Sequence, residues 1–91
     1  MRRIDSKFHI ENDKIVKTAN GEPIPPEEPL FLIRARDRLA LPMLRIYEQL
    51  SQVDGCNDYH FDKLARTIAE FSDFAAKHPE RMKQPSVTRG L

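Results

Sequence analysis

Leu39-Ala40-Leu41-Pro42-Met43-Leu44-Arg45-Ile46-Tyr47-Glu48-Gln49-Leu50-Ser51-Gln52-Val53, with Asp54-Gly55 after it, decides how this chain is read. Leu39, Met43, Ile46, Tyr47, Leu50 and Val53 recur at three- and four-residue intervals, which predicts an amphipathic helix over 37–53 with that stripe turned inward. Asp37 is positioned to cap it, Pro42 falls near the first turn where a missing N–H does little harm, and Asp54-Gly55 supplies the stop. At about 100° per residue Leu41 and Leu44 lie on the other side of this helix, so something else must cover them.

A second helix is predicted over 58–78. Asn57 or Asp58 caps it, Phe61, Leu64, Ala65, Ile68, Phe71, Ser72 and Ala75 share one face, and Pro79 breaks it. The short connection between the two makes an antiparallel hairpin, with Tyr47 and Leu50 expected against Phe61, Leu64 and Ile68. Beyond Pro79 one further helical turn is expected within Glu80-Arg81-Met82-Lys83-Gln84-Pro85, and residues 86–91 are polar enough for a flexible tail.

Upstream, Phe8 and Ile10 are separated from Ile15 and Val16 by Asn12-Asp13, and Asn20-Gly21 adds another turn signal, so a short β-hairpin or two strand fragments are expected. Pro23, Pro25, Pro26 and Pro29 exclude helix over 22–29 and favour an extended strap. Leu30-Phe31-Leu32-Ile33 is a continuous apolar run and is expected to form a short buried strand. The expected fold class is therefore α+β, mainly α. A short N-terminal β element and a Pro-rich strap, both within 8–34, pack on the helical hairpin in a single small domain over 1–85.

Composition narrows the function classes. The chain has 91 residues, with 15 Lys+Arg against 14 Asp+Glu and a formal net charge of +1. A chain this short buries only about 60–65% of the surface its unfolded form exposes, so help from an oligomer or a ligand is expected. The 40% hydrophobic and 32% charged residues fit a globular protein, while seven Pro and a mean hydropathy of −0.60 point to extended segments. The balanced charge argues against a direct nucleic-acid binder, which would be strongly basic. One cysteine, Cys56, cannot make an internal disulfide, and no apolar run approaches the ~20 residues of a membrane span or forms a signal-peptide core. A cytoplasmic protein with no membrane contact is expected.

Glu28-Pro29-Leu30-Phe31-Leu32-Ile33-Arg34-Ala35-Arg36-Asp37-Arg38-Leu39-Ala40, preceded by Gly21-Glu22-Pro23-Ile24-Pro25, resembles a pattern in short uncharacterised proteins of phages and bacteria. The shared core is Glu-Pro-x-Phe-x-x-Arg-Ala-x-Asp-x-Leu-Ala, and the likeness runs from about Phe8 to Pro85, including His78-Pro79-Glu80-Arg81-Met82-Lys83. The resemblance implies a small accessory protein, of a kind that inhibits a host protein or sequesters a signalling molecule. It transfers no catalytic residue.

Arg34, Arg36 and Arg38 are spaced by two, so on an extended segment they project to one side, with Arg45 approaching from the following helix. Guanidinium forks donate paired hydrogen bonds to phosphate and carboxylate, which makes this the candidate anion- or partner-binding site. The plainer alternative is that Asp37, Glu48, Glu27 and Glu28 neutralise these arginines on a solvated surface. Leu41, Leu44 and Phe74 are the apolar residues the two-helix core covers least, and they predict an interface.

Other constellations are weaker. Cys56-Asn57-Asp58-Tyr59-His60 holds metal-ligating residue types without zinc or calcium spacing, and Cys56 with His60 lacks an orienting group for nucleophilic catalysis. The Pro-x-x-Pro spacings in 23–29 read as a stiff connector, and Glu70 with Asp73 reads as solvent-facing helix. The expectation is a non-enzymatic binding protein without metal or cofactor. Its partner is another protein or a second copy of itself, and the alternative is an oligomeric sponge for an anionic nucleotide.

Overall fold

A computed structural model of the chain describes residues 2–3, 5 and 7–86. The fold is α+β and mainly α, in the order β1 (Arg2–Arg3), β2 (Phe8–Glu11), β3 (Lys14–Lys17), α1 (Ala40–Asp54), α2 (Asp58–Lys77) and a 3-10 turn at Pro79–Arg81. The chain divides into two compact units, Met1–Phe31 and Leu32–Leu91. Of the expected tail, only Ser86 falls within the described residues.

The first unit is an antiparallel sheet in the order β1-β2-β3. Asn12 and Asp13 both take positive φ, 51° and 62°, as a two-residue type I′ hairpin turn requires, and Glu11 then pairs with Lys14 in the expected β2-β3 hairpin. The opposite pair His9 and Val16 is the buried one, whereas Phe8 and Ile10 are half-buried. His9 keeps both ring nitrogens engaged, Nδ1 with Thr18 Oγ1 at 3.0 Å and Nε2 with Glu11 Oε2 at 3.1 Å, and this satisfies its buried polar atoms. Asp5 Oδ1 accepts from the N–H groups of Lys7 and Phe8, which shapes the entry to β2.

The Pro-rich segment starts as part of this sheet. Lys17 N–H donates to the Glu22 carbonyl at 2.7 Å and Ile24 N–H to the Ile15 carbonyl at 2.9 Å, so Pro23 sits opposite Val16 on the outer edge of β3. Proline is tolerated there because an edge position needs no N–H on its outer side. Gly21, at φ 74°, closes the turn that makes this return possible.

The run Leu30-Phe31-Leu32-Ile33 does not form the expected buried strand. Leu30, Phe31 and Leu32 are exposed, and among the described residues no backbone ladder reaches the run. An apolar run becomes a strand only where a neighbouring edge can take its N–H and C=O groups, and here none does.

In the second unit α1 begins at Ala40, three residues later than expected. Two successive turns precede it, with Asp37 N–H donating to the Arg34 carbonyl and Ala40 N–H to the Asp37 carbonyl, both at 3.0 Å. The Asp37 carboxylate accepts from Leu39 N–H at 2.8 Å, so its capping capacity serves the turn rather than the helix. Pro42 is the third helical residue, where its absent N–H would have had no partner anyway. At the other end Gly55 takes φ 74°, its N–H donates to Gln52 and that of Cys56 to Ser51, which is a Schellman stop.

Asn57 caps α2 by accepting from His60 N–H at 3.0 Å, as its residue type predicts. Leu64 is buried and Phe61, Ile68, Phe71 and Ala75 are half-buried on its inner face, while Ala65 and Ser72 are exposed. After the 3-10 turn the chain comes back beside the start of the unit, Arg38 N–H donating to the Lys83 carbonyl and Lys83 N–H to that of Arg36.

Candidate functional site

The inward face of α1 is the reverse of the one its periodicity predicts. Ala40 and Ser51 are buried and Leu41, Leu44 and Glu48 half-buried, and these residues share one side of the helix. That side meets α2. Ser51 Oγ lies 2.9 Å from His60 Nε2, and the Tyr47 ring touches the His60 ring edge-on at the margin of the contact, 5.6 Å between centroids. Leu41 and Leu44, expected at an interface, are half-buried on the Ser51 side of the helix.

Phe74 is occupied within the chain. The His78 ring lies 5.0 Å from its centroid and the Arg81 guanidinium stands 5.0 Å over its face, in cation–π geometry. The 3-10 turn after Pro79 is what brings Arg81 back onto α2, a folding-back that helical periodicity does not encode.

What remains open is the predicted core stripe itself. Leu39, Met43, Ile46, Tyr47, Leu50 and Val53 are 39 to 88% exposed. Leu39, Met43, Ile46, Leu50 and Val53 follow one another at intervals of four, three, four and three, and fall within an arc of about 80° on α1. That alternation over two heptads is the seam pattern by which helices pack knob into hole. It was legible in the sequence as an apolar stripe; that it is bare was not.

The arginines are arranged differently from the extended geometry expected. Arg34, Arg36 and Arg38 occupy the two successive turns before α1, so their spacing of two does not set a common side. Arg36 is half-buried and flanks the backbone bridge to Lys83 together with Arg38, which brings Lys83 into the same basic stretch, while Arg34, Arg38 and Arg45 are exposed. Among the described residues no close ion pair engages any of these four arginines.

His60 and Ser51 resemble a base and a hydroxyl nucleophile only in their distance. Ser51 Oγ gives its proton to the Tyr47 carbonyl at 2.8 Å, so the bond to His60 is made by the imidazole donating from Nε2. The pair is a structural tie between helices, and it also commits His60 to Ser51 rather than to Cys56. No cluster of three or more metal-ligating side chains occurs among the described residues, and no helix is long and apolar enough to cross a membrane. No protein-family model, curated protein or solved structure matches this chain.

Proposed function

We propose that this is a small non-enzymatic cytoplasmic binding protein that acts by occupying a protein partner, an accessory role of the kind the phage-like sequence pattern implies. The observation that carries the reading is the uncovered stripe of Leu39 and α1, with Leu39, Met43, Ile46, Leu50 and Val53 in line and Tyr47 at its border. A surface of this kind is costly to leave in water and is characteristic of protein contact sites. The unpaired arginines at the start of the same unit favour an acidic partner surface, since guanidiniums recognise carboxylates in paired hydrogen bonds.

The test is affinity capture from the producing cells with the full chain. Leu50→Glu and Arg36→Glu should each lose the captured partner while Tyr59→Ser, at an exposed position outside the stripe, keeps it. Equal capture by all three overturns the reading. The same unpaired guanidiniums support a second reading, an oligomer that sequesters an anionic nucleotide. That reading requires a thermal shift with added nucleotide that fades as salt rises, and a flat response removes it.

A further inference from the structure

We infer that the occupant of the α1 stripe is a second copy of this chain, packed antiparallel about a two-fold axis near Ile46. The inference rests on the reading of that stripe as a protein contact surface and specifies what lies on it.

Three observations converge on a second copy. The first is internal symmetry. About an antiparallel two-fold axis at Ile46, Leu39 comes opposite the partner's Val53 and Ile46 opposite the partner's Ile46, while Met43 falls within one residue, about 1.5 Å of helical rise, of the partner's Leu50. Every knob of the seam therefore finds an apolar counterpart, as an isologous interface demands.

The second is charge. The positions bordering the seam that remain open to a partner are Pro42, Tyr47, Gln49 and Asp54, and about this axis Tyr47 comes near the partner's Tyr47 and Pro42 near the partner's Gln49. No like charges are brought together along the border. At each end the basic stretch containing Arg38 comes beside the partner's Asp54 and the negative C-terminal end of the partner's α1. A parallel pairing would instead bring the two Arg34–Arg38 stretches together at one end.

The third is area. The exposures of the six stripe residues amount to roughly 700 Å² of mostly apolar surface per copy, close to the ~800 Å² each partner contributes to a standard stable interface. The chain also needs such cover. Among the described residues only Val16, Ala40 and Leu64 are buried apolar side chains, and none of the larger side chains is fully enclosed. Two hairpins joined through α1 make a four-helix arrangement in which α1 is buried on both sides.

Sedimentation velocity on the full chain over a concentration series tests this. A concentration-dependent dimer is expected, and Ile46→Glu, which sets two carboxylates against each other at the axis, should raise its dissociation constant by at least about tenfold with helix content unchanged. Orientation is read by cysteine cross-linking in a Cys56→Ala background. Ile46→Cys should form a disulfide-linked dimer. Val53→Cys should not, because antiparallel packing holds the two sites about 21 Å apart along the axis. A monomer at high micromolar concentration, a dimer indifferent to Ile46→Glu, or efficient linkage through Val53→Cys each overturns the inference. A monomer that still loses its captured partner through Leu50→Glu leaves the binding function standing and removes only the second copy. A dimer that captures nothing does the converse.

Discussion

Ser51 on α1 and His60 on α2 are joined by a 2.9 Å hydrogen bond in which His60 Nε2 donates to a hydroxyl that itself donates to the Tyr47 carbonyl. Ser51 is buried, so this contact fixes which side of α1 faces α2, and with it which side is left for a partner. The chain of donors ends on a helix carbonyl, so each polar atom in it is satisfied without water.

Removing either member leaves the other short of a partner in a half-dry contact. Ser51→Ala and His60→Ala should each cost about 1–2 kcal/mol, and the double variant should cost less than their sum by about 1 kcal/mol, measured by urea unfolding in a double-mutant cycle. Strict additivity would show that the pair does not set the packing of the hairpin.

Leu44 and Leu50 separate the two faces of α1. Leu44 is half-buried on the Ser51 side, whereas Leu50 is exposed on the stripe. Leu44→Asp should destabilise the helical unit by about 2 kcal/mol or more and lower the midpoint of helix melting, because it places a carboxylate on the half-buried side of α1 that carries Ser51. Leu50→Asp should leave the circular dichroism spectrum of a dilute sample unchanged. The opposite pattern, with Leu50→Asp unfolding the chain, would mean that the periodic stripe is the packed face after all.

The hairpin turn offers a gain in stability. Asp13 holds φ 62° in the second turn position, where glycine is the preferred residue of a type I′ turn. Asp13→Gly should stabilise the sheet by about 0.5–1 kcal/mol, seen as slower amide exchange at His9 and Val16, which pair across the strands. Slower exchange confined to the helices would not fit this turn.

Much of this structure is legible in local sequence. Asn12-Asp13 sets the hairpin, Asn57 starts α2, Asp54-Gly55 stops α1, and Pro79 ends the second helix, each through a backbone requirement that one or two residues satisfy. The strand expected at Leu30–Ile33 illustrates the limit, because apolar composition does not create a hydrogen-bonding edge for it to join. The start of α1 illustrates it again. Asp37 is a competent cap, yet its carboxylate is spent on Leu39 N–H in a turn held by the returning segment at Lys83, a contact between residues far apart in sequence.

The candidate site divides in the same way. Sequence alone determines that α1 is a helix, that Leu39, Met43, Ile46, Leu50 and Val53 share one of its faces, and that Arg34, Arg36 and Arg38 lie just before it. Periodicity relates residues of one element to each other and contains nothing about which face another element will meet. Only the tertiary structure decides that, because α2 has room to cover one face of α1. The His60 bond to Ser51 ties α2 to the side of α1 that carries Leu41 and Leu44, and the longer apolar stripe is left outward.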